Sequence, residues 1–252
     1  MFLTSNSVYE ILIAIGLLMS SYIIGSIPFG VVLGKAICNI DIREHGSKNI
    51  GSTNAIRVLG KKVGFLIFFC DVLKGMVVIL IVRILHATGV FYNEPVITTS
   101  YNLDLLLYGA AAIVGHSFPI FLNFKGGKGV ATSLGVITLI CPIAAALCLI
   151  AFAITLYTTG YVSLSSTFAT LTVTITVWVF HFVGLGPDAN PILVYLLGEQ
   201  HLVTVILIST IALLIIVKHR KNYVRLLNGT ENNFKKAKLE KKKQLENESQ
   251  AN

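Results

Sequence analysis

Two lysines and three glycines lie close together in residues 123–132, which read NFKGGKGVAT. Glycine lets successive backbone N–H groups turn toward one point, because it has no Cβ. Successive N–H groups, the start of a following helix and nearby ammonium groups together favour an anion such as phosphate. The alternative is a tight basic turn that only anchors its flanking segments. We predict that a phosphate group binds five residues of this loop: Lys125, Gly126, Gly127, Lys128 and Gly129.

A second polar loop, residues 36–62, carries Gly, Ser, Thr and Asn side chains between cationic groups. Ser and Asn cap helices, and the same side chains bond phosphate oxygens. Arg57 has the geometry for a two-pronged contact with a phosphate, which a lysine lacks. The density of small polar residues favours a binding site. The alternative is a capped loop whose cations only follow the charge bias of membrane proteins.

Two further polar clusters lie at residues 161–166 and 218–231. The first reads YVSLSS, and helix capping with interhelical hydrogen bonds is its simpler explanation. In the second, His219, Asn222 and Arg225 follow a spacing of three, which places them near one helical face. Histidine exchanges a proton near neutral pH. The alternative for this cluster is a basic anchor for anionic lipid.

The elements that position these clusters are apolar. The chain has 252 residues, a mean hydropathy of +0.78, and 54% hydrophobic against 13% charged residues, which indicates a membrane protein. Its apolar runs are continuous rather than alternating, which favours helices over barrel strands. Asp71 and Lys74 lie within one run at a helical spacing, so we predict a buried ion pair. We predict an all-α integral membrane protein with seven transmembrane helices, over residues 8–33, 63–84, 103–122, 130–141, 143–157, 161–183 and 192–217.

The distribution of lysine and arginine assigns the sides of the membrane. The loops at residues 43–62 and 125–128 and the chain after residue 218 alternate so that they share one face. The opposite loops contain Glu94 and Asp188 and almost no lysine or arginine. The positive-inside rule then places the N-terminus outside and the C-terminus in the cytoplasm. All four polar clusters fall on the cytoplasmic side, which predicts one pocket for a phosphorylated ligand.

The chain divides into two predicted parts. Residues 1–231 form one seven-span domain, and residues 232–252 form a lysine-rich cytoplasmic tail that we predict to be disordered. The lysines of the tail either contact anionic lipid or are solvated, and we favour the second interpretation.

The residue types restrict the chemistry of the pocket. The sequence has no paired carboxylates for acid–base catalysis, no His/Cys ligand spacing, no Gly-x-Ser-x-Gly and no histidine followed five positions later by Asp. We therefore expect no metal, no cofactor and no nucleic-acid partner. A cationic, glycine-rich site without a nucleophile suits a substrate that is already activated, which the site positions and stabilises by charge. The alternative is a phosphate-ester or anion transporter, although the predicted outer half has few polar residues.

Five motifs resemble a known family, in order and in register over about residues 16–231. They are GSIPFG at 25–30, GSKNIGSTN at 46–54 with Arg57, GHSFP with KGGKGVAT between 115 and 132, YVSLSS at 161–166, and HRKNYVRLLNGTE at 219–231. The pattern resembles the PlsY family of bacterial acyl-phosphate:glycerol-3-phosphate acyltransferases. Lys48 and Ser52 replace the usual Gly and Ala. Because lysine disfavours a positive φ, we expect the backbone to differ at Lys48.

The resemblance implies a multi-pass enzyme of the bacterial cytoplasmic (inner) membrane that acts in phospholipid biosynthesis. It would transfer a fatty acyl group from acyl phosphate to the sn-1 hydroxyl of glycerol 3-phosphate, giving lysophosphatidic acid and phosphate. Its partners would be acyl phosphate, glycerol 3-phosphate and membrane lipid. The proton acceptor is either His219 or the donor phosphate. The expected catalytic residues are Ser47, Arg57, His219 and Asn222. The expected substrate contacts, besides the lysine–glycine loop, are Ser163 and Ser166. The expected structural residues are Asp71, Lys74 and Glu231.

Overall fold

The computed structural model describes residues 5–88, 101–183 and 202–236, together with position 247. Within these ranges every regular element is helical. A single 3₁₀ turn, Ile120–Leu122, is described between the fifth and sixth helices. The α-helices are α1 Ser5–Ser26, α2 Phe29–Cys38, α3 Ser52–Leu59, α4 Lys61–Ala87, α5 Tyr101–Ser117, α6 Val130–Ile140, α7 Pro142–Thr159, α8 Val162–Val183, α9 Leu202–Lys218 and α10 Arg220–Leu227.

Several of these helices are long and apolar enough to cross a membrane, which confirms the predicted all-helical membrane class. Five candidate spans are described, and α9 with α10 makes a sixth if this pair, bent by 48°, is counted as one. The spans are Val8–Ser26, Lys61–Ala87, Leu105–Leu122, Pro142–Thr159 and Val162–Val183.

The count of seven spans and the sides of the two termini stay predictions. Helix α6 has 11 residues, a length of about 16 Å against a hydrocarbon core of about 30 Å. The first part of the predicted last span, residues 192–201, lies outside the described residues. So do the two loops that contain Glu94 and Asp188, and most of the predicted tail after residue 236.

The predicted polar loop at residues 36–62 is more structured than its composition suggests. Helix α2 continues to Cys38, and α3 occupies Ser52–Leu59. Inside this region Ile42 and Ile50 are buried together with Ala55 of α3 and Ile67 of α4. Because apolar burial stabilises by about 25 cal/mol per Å², this cluster fastens the loop to α4. The loop is therefore held in place close to the end of a membrane helix.

The short helix α6 packs closely against α4. A Cβ atom added to Gly75 would collide with the carbonyl oxygen of Thr132, and one added to Gly135 would collide with that of Val72. Small residues allow this approach of two backbones, as is common between membrane helices. The contact matters for the site because α6 begins at the end of the lysine–glycine loop.

Candidate functional site

One cavity of about 320 Å³ brings the four polar clusters together. Its lining includes Ser47 and Arg57 from the first loop, Lys128 from the lysine–glycine loop, and His219 from the junction of α9 and α10. Ser47 and Arg57 are exposed at its mouth, whereas His219 is buried. Further polar side chains line the cavity: Asn49, Asn54, Asp71, His116, Ser163, Ser166, Asn222, Arg225, Glu231 and Asn232.

Asn54 organises the loop that presents Ser47. Its side chain is buried, and its Nδ2 lies 3.0 Å from the carbonyl oxygen of Ile42, 3.1 Å from that of His45 and 2.9 Å from that of Asn49. Its Oδ1 accepts the backbone N–H of Ser47 at 2.8 Å. The side-chain amide of Asn54 thus ties four points of the loop to α3. Because Arg57 lies in the same helix, three residues after Asn54, these bonds fix the position of Ser47 relative to Arg57.

The backbone at Lys48 differs from the sequence-based expectation. Lys48 has a φ of 59°, and Gly46 has a φ of 57°. The loop therefore keeps the left-handed conformation that the usual glycine would favour, although a left-handed residue with a Cβ costs about 1–2 kcal/mol. The hydrogen bonds of Asn54 to Ser47 and Asn49, on either side of Lys48, hold the loop in this shape.

Of the five residues of the lysine–glycine loop that were predicted to bind phosphate, only two line the cavity. Only Lys128 and Gly129 line the cavity, while Lys125 is exposed outside it. The N–H of Gly127 donates to the carbonyl oxygen of His116 at 3.0 Å, and a Cβ on Gly127 would overlap the His116 ring. Gly126 and Gly127 thus allow the loop to pack tightly on the end of α5, so their small size serves packing.

Gly129 gives the loop its turn into α6. It has a φ of 83° and is the N-cap of that helix. The first residues of α6, Val130 and Ala131, also line the cavity. The N-terminus of a helix has unpaired N–H groups and a positive partial charge. Lys128 and the beginning of α6 therefore both contribute positive charge to the lining of the cavity.

A buried ion pair lies beneath this loop. Lys74 Nζ is 2.8 Å from Asp71 Oδ1, and both side chains are almost completely buried. Lys74 also donates to the carbonyl oxygen of Ile27 at 3.1 Å, at the break between α1 and α2. His116 Nδ1 faces the same Asp71 oxygen at 3.5 Å. The ion pair therefore joins the break between α1 and α2 to α4. It also lies against His116, whose carbonyl oxygen bonds Gly127 of the lysine–glycine loop.

Glu231 accepts hydrogen bonds from three side chains that belong to two helices. Its Oε1 accepts from Ser163 Oγ at 2.9 Å and from Asn222 Nδ2 at 2.7 Å, and its Oε2 accepts from Arg225 Nε at 2.8 Å. Burial alone would raise the pKa of Glu231, but these donors outweigh it and lower the pKa below its ordinary value. Glu231 is therefore an ionised carboxylate that joins α8 to α10.

Lys128 is connected to Glu231 through Asn222. Lys128 Nζ donates to Asn222 Oδ1 at 2.7 Å, on the opposite end of the amide that donates to Glu231. Loss of solvent lowers the pKa of Lys128 to about 8, the charges of Arg225 and Arg57 lower it as well, and Glu231 opposes them. Because a nearby anion favours the protonated form, this ammonium is suited to bind a phosphate.

The environment of His219 selects one tautomer of its ring. The side chain is 2% exposed, and Nδ1 lies 2.8 Å from the carbonyl oxygen of Ile215. A carbonyl oxygen only accepts hydrogen bonds, so the neutral ring carries its proton on Nδ1. The lone pair is then on Nε2, and His219 lines the cavity. The neutral ring therefore has a proton-accepting nitrogen at the site.

An apolar cavity of about 160 Å³ adjoins the polar one. The two share Phe68 of α4, Val130 and Ala131 of α6, and Phe152 of α7 in their linings. Deeper in the bundle the apolar cavity is lined by Cys148, Ala169 and Ala212, among other side chains. A ligand with a polar head and an acyl chain would fit this arrangement. Among the described residues, no three His, Cys, Asp or Glu side chains are grouped to hold a metal ion.

Comparison with known proteins gives one consistent result. Residues 15–229 match the family described as glycerol-3-phosphate acyltransferase. A glycerol-3-phosphate acyltransferase of Acholeplasma laidlawii is 40% identical over 233 residues, which cover 92% of this chain and 97% of the relative. A second, from Desulfotalea psychrophila, is 41% identical over 218 residues, which cover 86% of this chain and 95% of the relative.

Solved structures agree with this match. The crystal structure of PlsY, an integral membrane glycerol 3-phosphate acyltransferase, in its glycerol 3-phosphate form has a TM-score of 0.70 and 35% identity, covering 88% of this chain and 95% of that chain. The lysophosphatidic acid form has a TM-score of 0.69 and 33% identity, covering 87% and 94%. This chain therefore belongs to the glycerol-3-phosphate acyltransferase family of integral membrane enzymes.

Proposed function

We propose that this enzyme takes its acyl group from acyl phosphate and transfers it to the sn-1 hydroxyl of glycerol 3-phosphate, in the bacterial cytoplasmic membrane. The products are lysophosphatidic acid and inorganic phosphate. The observation that carries the proposal is a cavity lined by Arg57, Lys128 and Arg225 that adjoins an apolar cavity. Two phosphates and one acyl chain need this combination. The charge bias of the loops places the cavity on the cytoplasmic side.

The cations divide between the two phosphates. Lys128 and the beginning of α6 bind the phosphate of glycerol 3-phosphate, because an ammonium and a helix N-terminus meet there. Ser47, in the loop before α3, and Arg57, in α3, lie at the exposed mouth and bind the phosphate of the donor. Ser163, Ser166 and Asn222 contact substrate in the same cavity. Asp71, Lys74 and Glu231 support the site structurally.

The reaction needs no covalent intermediate with the enzyme. The sn-1 hydroxyl oxygen attacks the carbonyl carbon of acyl phosphate, the new ester C–O bond forms, and the bond between that carbon and the phosphate oxygen breaks. The hydroxyl proton goes to His219 Nε2 or to the departing phosphate. Cations stabilise the charge on the carbonyl oxygen and on the leaving group. Holding both substrates in one cavity supplies the remaining rate enhancement.

The acyl chain occupies the apolar cavity in this proposal, so substitutions in its wall should change chain-length preference. Ala212→Phe is expected to lower kcat/KM for a palmitoyl donor more than for a decanoyl donor, because the added ring displaces methylene groups. Each methylene displaced from burial costs about 0.8 kcal/mol, or about fourfold. Leu213→Phe is the control, because Leu213 is 60% exposed and does not line the apolar cavity. If Ala212→Phe left the ratio of kcat/KM for the palmitoyl donor to kcat/KM for the decanoyl donor unchanged, the acyl chain would have to bind outside the apolar cavity.

The alternative function, transport of a phosphate ester or anion, is tested together with the proposal. The purified protein is reconstituted into vesicles with acyl phosphate in the membrane and glycerol 3-phosphate in the buffer. The proposal expects release of phosphate that depends on glycerol 3-phosphate, with lysophosphatidic acid as the second product. Uptake of labelled glycerol 3-phosphate without phosphate release would instead identify a transporter.

A further inference from the structure

The chain after α10 returns to the end of α7. In this return segment, residues 230–236, three donors bond three consecutive carbonyl oxygens. Lys235 Nζ donates to Thr158, Asn233 Nδ2 to Thr159, and the N–H of Phe234 to Gly160, each at 2.9 Å. These carbonyls would otherwise be unpaired at a helix C-terminus. The region matched to the family ends at residue 229, so it does not include this contact.

Asn233 is at the centre of the return segment. Besides its bond to Thr159, its Oδ1 accepts the N–H of Lys235 at 2.9 Å and that of Lys236 at 3.2 Å. Gly160 has a φ of 77°, and a Cβ there would collide with the Asn233 amide. The end of α7 is thus shaped to receive this side chain. Asn233 both forms the local turn and fastens it to α7.

The same segment carries Glu231 into the active site. Glu231 is two residues before Asn233, and it holds Asn222, which in turn accepts from Lys128 Nζ. Asn232 and Phe234, on either side of Asn233, line the polar cavity. The position of Glu231 therefore depends on where the return segment is attached.

We propose that Asn233 is a positioning residue for the glycerol 3-phosphate site: by fastening the return segment to α7, it holds Glu231 and Asn222 where they orient Lys128. This inference rests on the proposed function, because it assigns Lys128 to the phosphate of glycerol 3-phosphate. Asn233 itself does not line the cavity. Its effect on catalysis passes through Glu231 and Asn222.

The test compares the wild-type enzyme with Asn233→Ala, Asn233→Asp and Lys236→Ala in detergent-purified, full-length protein. Asn233→Ala is expected to raise KM for glycerol 3-phosphate by about tenfold, the scale of one lost hydrogen bond. KM for acyl phosphate is expected to stay near the wild-type value. Lys236→Ala is the control, because Lys236 is exposed and contributes only its backbone N–H to the turn.

Asn233→Asp separates the two roles of the side chain. Its carboxylate still accepts the N–H groups of Lys235 and Lys236, so the turn is retained, but it has no donor for the carbonyl of Thr159. The inference expects Asn233→Asp to resemble Asn233→Ala in its KM for glycerol 3-phosphate. A wild-type KM in Asn233→Asp would show that only the local turn matters, and would overturn the inference. Because the turn is retained, this variant also carries the test if Asn233→Ala does not fold.

The pH dependence of KM for glycerol 3-phosphate is a second measurement. It would not change if Asn233 had a purely structural role. Glu231 raises the pKa of Lys128 against the charges of Arg57 and Arg225. If Glu231 is displaced, KM for glycerol 3-phosphate should begin to rise at a lower pH than in the wild type. The other titratable groups lining this cavity are Asp71, His116 and His219. They are unchanged in the variants, so an unshifted profile would contradict the inference.

The outcomes for the inference and for the proposed function are distinct. If the wild-type enzyme does not transfer an acyl group from acyl phosphate to glycerol 3-phosphate, the proposed function fails. If the wild type is active and Asn233→Ala has the same KM values and pH profile as Lys236→Ala, only the positioning role of Asn233 fails.

Discussion

Replacing Lys128 with alanine is expected to raise KM for glycerol 3-phosphate about a hundredfold and to leave KM for acyl phosphate nearly unchanged. Lys128 is the cation beside the beginning of α6, and its ammonium is bonded to Asn222 at 2.7 Å. A hydrogen bond to a charged group contributes about 1.5–3 kcal/mol, and a hundredfold change corresponds to about 2.7 kcal/mol. Steady-state kinetics with each substrate varied in turn measure both constants.

Lys125→Ala is the matched comparison for this prediction. Both lysines belong to the same loop and both were candidates from the sequence, but Lys125 is exposed and does not line the cavity. A small effect on KM for glycerol 3-phosphate is therefore expected. Equal effects of the two substitutions would show that the loop binds phosphate through its total charge, contrary to the geometry of the site.

The same lysine predicts a pH dependence. Loss of solvent lowers the pKa of Lys128 to about 8, and only the ammonium form attracts the phosphate dianion. The charge is present below pH 8 and is lost as the pH rises, so KM for glycerol 3-phosphate should rise above pH 8, by at most about tenfold per pH unit. A phosphate monoester loses its second proton near pH 6, so the substrate does not titrate in this range. A constant KM up to pH 10 would contradict this assignment.

His219→Gln is expected to lower kcat by at least about a hundredfold, with KM values changed much less. Removal of a positioned proton acceptor costs about 10²–10⁴ in rate. The carbonyl of Ile215 holds the proton on Nδ1, so Nε2 is the accepting atom. Single-turnover measurement of ester formation with both substrates saturating tests the chemical step directly.

Tyr223→Phe controls for packing around this histidine. The Tyr223 ring stacks on His219 with centroids 6.3 Å apart, and phenylalanine retains the ring. This variant should keep nearly all of kcat, although it loses the contact of the hydroxyl with Thr167. If His219→Gln retained full kcat, His219 would be excluded as the base, and the departing phosphate would take the proton.

The sequence was sufficient to predict that the chain is a helical membrane protein and that the four polar clusters meet in one pocket. Long apolar runs indicate membrane-spanning helices directly. The distribution of lysine and arginine assigns the loops to one or the other side of the membrane. These two signals placed Ser47, Arg57, Lys128 and His219 on one side, and the structure places all four around one cavity. The number of membrane spans depends in part on residues outside the described ranges. Helix α6 has only 11 residues, so the length of an apolar run is a weak guide to the number of spans in this fold.

Other features depend on contacts that residue types do not reveal. A glycine pair beside lysines suggests a phosphate-binding loop, yet Gly126 and Gly127 pack on His116, because the chain folds back on the end of α5. Residues 232–236 of the return segment lie in the tail that the composition predicts to be disordered, whereas Asn233 bonds a backbone carbonyl 74 residues away. Every residue has a backbone carbonyl group, so the sequence does not show which carbonyl will accept a hydrogen bond from a distant side chain. Helix α3 was also missed inside a loop, since its eight residues are mostly polar or small.

The identity of the acyl donor tests the central claim most directly. Purified enzyme is given glycerol 3-phosphate with palmitoyl phosphate, or with a palmitoyl thioester at the same concentration, and lysophosphatidic acid and phosphate are quantified over time. We expect the two products in equal amounts from palmitoyl phosphate and almost no product from the thioester, because its leaving group is a thiolate rather than a phosphate that the cations at the mouth would bind. Efficient transfer from the thioester, with no product from palmitoyl phosphate, would contradict a site built for two phosphates.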